Sequence, residues 1–278
     1  MPNEIIKQQP HTLQSIIYSP AVLKKLNGCL GSEKKVSAFA SSVISVATGN
    51  SLLRDASPMS IVGAAMVAAT LDLPVVPTLG MAYIIPYKTK EGMKAQFQLG
   101  WKGLYQLCIR SGQFKFVTAE AVHEGELITA NKFTGEYEFD PANRKSDKVI
   151  GYMACFKLIN GFTKTDYWTI DEVKKHATRF SQAYRQGRNT PWLTDFGAMA
   201  CKTVLKALLN KYAPKSLDMN NGLSFDQSSV KIHYDTELKE EDLNIDSFEP
   251  EYIDNTTADA DIAALAANRV KEGKNDTK

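Results

Sequence analysis

No apolar run in this sequence can cross a bilayer. The longest, Ile61 to Leu71, is about half of the roughly 20 residues that a spanning helix needs. Met1 to Gln9 is polar and lacks the apolar segment of an export signal, so a soluble, cytoplasmic protein is expected. Cysteine is scarce: Cys29, Cys108, Cys155 and Cys201 are scattered with no CxxC pair, which fits reduced thiols and neither a disulfide frame nor a zinc site. Histidine is equally sparse, and His11, His176 and His233 stand alone. His123-Glu124-Gly125-Glu126 sets a histidine beside carboxylates, yet no second histidine is near and it reads as a solvated turn at a strand entrance. Gly28 to Lys34 has two glycines and a lysine at the wrong spacing to cradle phosphates, so there is no Walker A loop. GxSxG, HExxH and EF-hand patterns are also missing. The sequence therefore implies no catalytic residues, no metal and no cofactor, and the expectation is a binding protein rather than an enzyme.

What is present is an uneven charge. The 278 residues carry a net +2, but residues 232–278 hold 5 Lys/Arg against 13 Asp/Glu, which leaves residues 1–231 at +10. Two windows account for that excess: residues 86–118 with 6 basic and 1 acidic, and residues 169–215 with 9 basic and 3 acidic. Concentrated positive charge of this kind suits a polyanion, although solvated surface lysines would give the same totals.

Punctuation and periodicity outline an α+β protein. Val36 to Thr48 reads as a helix closed by Gly49-Asn50, and Ser57-Pro58 opens a helix through Ile61 to Leu71 that is apolar nearly all round and so should be buried. Ala82 to Tyr87 and Lys94 to Leu99 form a hairpin; a helix from Trp101 to Ser111 stops at Gly112. Strands are expected at Phe114 to Thr118, Glu126 to Lys132 and Glu136 to Phe139, and Val149 to Ile159 pairs with Phe162 to Ile170 across an Asn160-Gly161 type I′ turn. Thr169 to Glu172 is a capping box opening a helix toward Tyr184, and Thr190-Pro191 starts another that reaches Tyr212. Residues 1–35 read as an amino-terminal arm and possible oligomer contact, 36–214 as the core, and 215–278 as an acidic linker and tail. In that tail Asp218 to Asn255 shows little periodicity, and Asp259 to Val270 could form one short helix.

The basic windows also carry aromatics. In QLGWKGLYQLCIRSG, Gln98 to Gly112, Lys102, Gln106 and Arg110 recur at helical spacing on one face; Leu104, Leu107 and Cys108 take another, and Trp101 and Tyr105 lie beside the cations. Cations meet phosphates and rings stack on bases, which is the chemistry of sequence-tolerant single-strand binding. An ordinary amphipathic helix with aromatic core residues has the same pattern. In the second window Lys202 and Lys206 are one turn apart, and Lys175 and Arg179 are likewise spaced. Arg185 and Arg188 flank Gly187, with Phe180, Tyr184 and Trp192 interleaved. Phe180 and Trp192 serve equally well as core anchors.

Three motifs carry a family resemblance: Gln98 to Gly112, NTPWLTDFGAMACKTVLKALLNKYAP at Asn189 to Pro214, and AATLDLPVVPTLGMAYIIPY at Ala68 to Tyr87. Together they resemble the RecT family of phage and prophage single-strand annealing proteins over residues 36–214. The resemblance implies a short antiparallel sheet with packed helices, and annealing of complementary DNA strands in homologous recombination without ATP. It also implies rings or helical filaments, a cytoplasmic setting in a bacterial host, and work beside a 5′→3′ exonuclease and the host single-strand-binding protein. By motif position it points to Lys102, Arg110, Lys202 and Lys206 as the DNA groove, with Lys115, Arg179, Arg185 and Arg188 second and Trp101, Tyr105, Phe180 and Trp192 as stacking candidates. Removing Arg110 or Lys202 should then flatten the salt dependence of binding without unfolding the protein. Two other classes stay open: a metal-dependent nuclease using Glu120, Glu124 and Glu126, and an assembly protein whose basic windows take a neighbour's acidic tail.

Overall fold

The structure is a computed structural model that describes residues 12–89, 91–187, 190–214, 216–226, 228–232 and 248–252. Helices α1 (Leu13–Ile17), α2 (Pro20–Leu30), α3 (Glu33–Gly49), α4 (Ser51–Arg54) and α5 (Pro58–Thr70) come first. Every residue of α5 from Ile61 to Ala69 is buried, as its all-round apolar sequence requires. Around it pack α1, α2 and α3, so residues 13–30, read from sequence as part of an arm, put Ile17, Val22 and Leu26 into the core instead. Thr12, Ser32 and Asn50 cap α1, α3 and α4 through side-chain acceptors.

Strands β1 (Ala82–Thr89) and β2 (Gly92–Leu99) form an antiparallel hairpin against α5, and β2 leads directly into α6 (Trp101–Arg110). The central sheet has three strands, β3 (Phe114–His123), then β6 (Val149–Leu158), then β7 (Thr163–Thr169), all antiparallel. The hairpin β4 (Leu127–Asn131) and β5 (Glu136–Phe139) lies against β7. Tyr152, Ala154, Phe156 and Leu158 of β6 are buried, and of the helices that follow, α7 (Ile170–Phe180), α8 (Gln182–Arg185), α9 (Pro191–Thr194) and α10 (Phe196–Tyr212), β6 packs on α7 and α10. The chain is α+β, with strands grouped into short antiparallel sheets.

Several local expectations change. The helix expected to run toward Tyr184 stops at Phe180, because Ser181 adopts φ −118° and ψ 105° and its hydroxyl accepts from the Tyr184 amide. The helix after Thr190 breaks at Asp195, whose carboxylate caps Ala198 and starts α10 separately. The Asn160-Gly161 turn is not type I′, which needs positive φ at both central residues. Only Gly161 is left-handed, at φ 92°, within a loop that Gly161 N–H closes onto Leu158 O. Beyond Pro214, where a featureless linker was expected, α11 (Leu217–Phe225) is capped by Ser216 and packs on β2 and α6, with Met219 fully buried. Strands β8 (Ser228–Ile232) and β9 (Phe248–Tyr252) pair after it. The possible helix at 259–270 lies outside the described residues.

Glycine sets how closely α6 approaches the chain before β1. A Cβ on Gly100 would overlap the Gly80 carbonyl, and one on Gly103 would overlap the Met81 carbonyl oxygen. Alanine in a helix normally stabilises by ~1 kcal/mol relative to glycine. Here Gly103→Ala is expected to destabilise by about 1–3 kcal/mol through overpacking, read as a lower denaturation midpoint in urea. An unchanged or raised midpoint would mean that α6 does not dock this tightly.

Candidate nucleic-acid interface

The amino end of α6 is where the two basic windows meet. Gly100 donates to Met81 O at 2.8 Å, which fixes the turn from β2 into the helix. Leu99, the last residue of β2, donates its amide to Asp226 Oδ1 at 2.8 Å, and the second oxygen of Asp226 takes the ammonium of Lys206 from α10. The Asp226 side chain is 1% exposed and Lys206 30%, so the carboxylate lies beneath the surface and the lysine comes up past it. One carboxylate thus joins the β2–α6 junction of the first window to α10 of the second. Asp226 follows the carboxyl end of α11, and a Cβ on Gly222 of that helix would come within 2.7 Å of Leu107 Cδ1 on α6, so a larger residue there would require Leu107 to shift.

Exposed cations and rings lie on α6 and, separately, on α7 of the second window. Lys102 runs over Gly80 beside the Tyr83 hydroxyl, and Trp101 and Tyr105 are 47% and 38% exposed on the same helix. On the second window Phe180 is 55% exposed at the end of α7, with the Arg179 guanidinium 5.0 Å from its ring centre and the His176 ring 4.5 Å away on the other contact. His176 also meets the edge of Trp168 at 5.5 Å. Burial, followed by the charges of Lys206 and Arg179, holds the His176 imidazole below its ordinary pKa. Lys175 and Arg185 are exposed nearby in sequence, and Lys202 is partly buried one turn before Lys206 with its own contacts.

Arg110 has a structural role that sequence spacing did not reveal. Helix α5 ends in a Schellman turn, with Leu73 N–H on Ala68 O and Asp72 N–H on Ala69 O, both 2.9 Å. Its left-handed position holds Asp72 at φ 47° rather than a glycine. Arg110 reaches the carbonyls of Leu71 and Asp72 and lies 3.5 Å from the Asp72 carboxylate, which Lys35 approaches from α3 at 3.9 Å. Arg110 therefore bolts the carboxyl end of α6 to the carboxyl end of α5. Trp192 is likewise internal: 5% exposed, it forms a ring chain from Tyr184 through Phe196 to Tyr152, which leaves no face for a base. Lys115 is exposed at the start of β3, past the Arg110 end of α6, and Arg188 lies outside the described residues. Lys211 pairs with Tyr212 at the far end of α10.

The carboxylates of the nuclease alternative are occupied locally. Glu126 accepts from the His123 amide at 2.6 Å and lies 3.3 Å from its ring, and Glu124 accepts from the Ser146 hydroxyl at 2.8 Å. Among the described residues no three His, Cys, Asp or Glu side chains gather as a metal site would require, and no helix is long and apolar enough to cross a membrane. Burial pushes the Cys108 thiol up to about 12 and Cys201 up to about 11, so neither is a thiolate nucleophile at neutral pH.

Spacing together with the family resemblance pointed to Lys102, Arg110, Lys202 and Lys206, but neither Asp226 nor His176 was marked by them. The i, i+4 pairing of His176 with Phe180 was visible in the sequence; nothing there signals that Asp226 folds back onto Leu99. Arg110→Ala is expected to cost about 2 kcal/mol of stability, since it strips charged hydrogen bonds from two helix-end carbonyls and leaves a strained Asp72. Thermal and urea denaturation check this; a variant as stable as the parent would return Arg110 to the list of free surface cations.

Comparison with known proteins gives concordant matches. A family model described as the RecT family covers residues 37–261, a span that takes in α11 and the β8–β9 pair as well as the three motifs. The chain is 43% identical over 255 residues to the uncharacterized protein YqaK of Bacillus subtilis (strain 168), covering 91% of this chain and 85% of that one. It is 30% identical over 179 residues to Protein RecT of Escherichia coli (strain K12), covering 61% of this chain and 63% of that protein. With the greater part of its length inside the family model, the chain belongs to the RecT family.

Proposed function

We propose that this protein binds single-stranded DNA along the surface formed by α6, α7 and α10 and anneals it to a complementary strand without ATP, acting as an oligomer. Membership of the RecT family implies single-strand annealing in recombination. The observation that carries the choice of surface is the Asp226 bridge, which brings Lys206 to the start of the helix bearing Lys102, Trp101 and Tyr105. Lys102, Arg179 and Arg185 hold phosphates, and Lys206 offers its remaining N–H donors, since an ammonium has three and Asp226 takes one. Trp101, Tyr105 and Phe180 give bases a face to rest on. Lys202 lines the same helix one turn earlier. Sequence specificity then comes from pairing itself, at roughly 1.4 kcal/mol of stacking per base-pair step, while the protein lowers strand repulsion and the entropy of alignment. A 5′→3′ exonuclease that supplies single strands, and the host single-strand-binding protein, are the partners this role requires.

Mixing labelled complementary oligonucleotides without nucleotide cofactor should give faster duplex formation with protein than without it, and no product with non-complementary strands. Strand shortening in Mg²⁺ or Mn²⁺ would instead support a nuclease. Log affinity should fall linearly with log salt, by ~0.7 per phosphate neutralised, and Lys102→Ala should lower that slope by about 0.7 with no loss of stability. A parental slope in a folded Lys102→Ala protein removes Lys102 from the surface.

A further inference from the structure

The Lys206–Asp226 pair is neutral as a unit, so the second window has lost one of its cations to the fold. Beside that pair sits an uncharged imidazole held between two rings. His176 is framed by Trp168 and Phe180, and Lys206 from α10 and Arg179 from α7 are its nearest charged influences. The elements packed on α7 are β6, β7, α8 and α10. They carry Tyr152, Cys155 and Lys157 on β6, Lys164, Asp166 and Tyr167 on β7, Tyr184 and Arg185 on α8, and Cys201, Lys202, Lys206, Lys211 and Tyr212 on α10; of these, Lys206 is the one whose charge acts on His176. Asp166 is drawn to the Trp168 indole at 3.1 Å, and Asp226 is engaged by Lys206 and Leu99. Partial burial, followed by the charges of Lys206 and Arg179, favours the neutral imidazole in the free protein.

We propose that His176 belongs to the DNA-binding surface and takes up a proton when a single strand binds, restoring between Lys206 and Arg179 the positive charge that Asp226 cancels. This rests on the surface assigned above. A phosphate placed on Lys206 and Arg179 offsets their field at the imidazole and offers the protonated ring a charged hydrogen-bond acceptor, so the bound state holds the proton more tightly than the free state. The sign follows from that difference. Extra affinity is fully present below the free-state pKa, which lies under the ordinary histidine value of 6.5, and it is lost as pH rises through the bound-state pKa. Phe180, 55% exposed against the same imidazole, places a base face next to the titrating ring, so one nucleotide would meet both.

The test uses the full chain and an oligothymidylate, whose bases do not titrate in the range. Anisotropy at constant ionic strength between pH 5.5 and 8 should show about tenfold tighter binding at the acid end, the effect of a one-unit rise in a single pKa. The salt slope should be steeper there by ~0.7. In His176→Gln both differences should vanish. Calorimetry of the parent in two buffers of different ionisation enthalpy should show net proton uptake at pH 6.5, a readout independent of how the variant folds. Binding by the parent with no pH dependence and no proton uptake overturns the proposal, as does a pH dependence that persists in His176→Gln. Absence of binding at every pH instead overturns the assignment of the surface to DNA.

Discussion

The geometry of this protein depends on one buried carboxylate. Asp226 is nearly inaccessible, and a buried charge is tolerated only where partners satisfy it; here a backbone amide and an ammonium do so. Those partners come from segments more than one hundred residues apart in the chain, the end of β2 and the middle of α10. The helix α11 that delivers Asp226 is held by Met219 in the core and by the close approach of Gly222 to Leu107. Spacing between the two basic windows is therefore set by desolvation and hydrogen bonding rather than by a flexible surface.

The same constraint divides the cations into two kinds. Arg110 and Lys206 have carboxylate partners and determine how helices meet: Arg110 ties α6 to α5, and Lys206 ties α10 to the β2–α6 turn. Lys102, Lys175, Arg179 and Arg185 are exposed and supply the field that a polyanion would meet. A count of positive charge in each window overstates what is available to DNA, because part of it is neutralised within the fold. The aromatic residues divide in the same way. Trp192 closes a ring chain in the core, whereas Trp101, Tyr105 and Phe180 remain in contact with solvent.

Much of the fold was legible because local chemistry decided it. Apolar residues on all sides of α5 required burial, Thr169 and Glu172 formed the expected capping box, the hairpins β1–β2 and β6–β7 fell where turn residues separated the strands, and β4 and β5 formed where strands were expected. Errors arose where a single polar side chain stopped a helix that periodicity would have continued, as Ser181 and Asp195 do. They arose too where a tertiary contact gave order to a polar segment, as at α11. Helical spacing could not tell Arg110 from a surface arginine, since its partners, the carbonyls after α5, lie 38 and 39 residues away. His176 read as an isolated histidine, since its i, i+4 pairing with Phe180 alone assigns no role; the Trp168 ring and the charges of Lys206 and Arg179 come to it only through the fold.

A structure of the protein bound to oligothymidylate is the most direct measurement of whether the two windows act as one surface. The expected complex holds a single strand whose phosphates pass within ion-pair distance of both Lys102 and Lys206, with Asp226 still bonded to Leu99. A strand that contacts neither lysine, or that engages them only after α11 has left its place against β2 and α6, would contradict it.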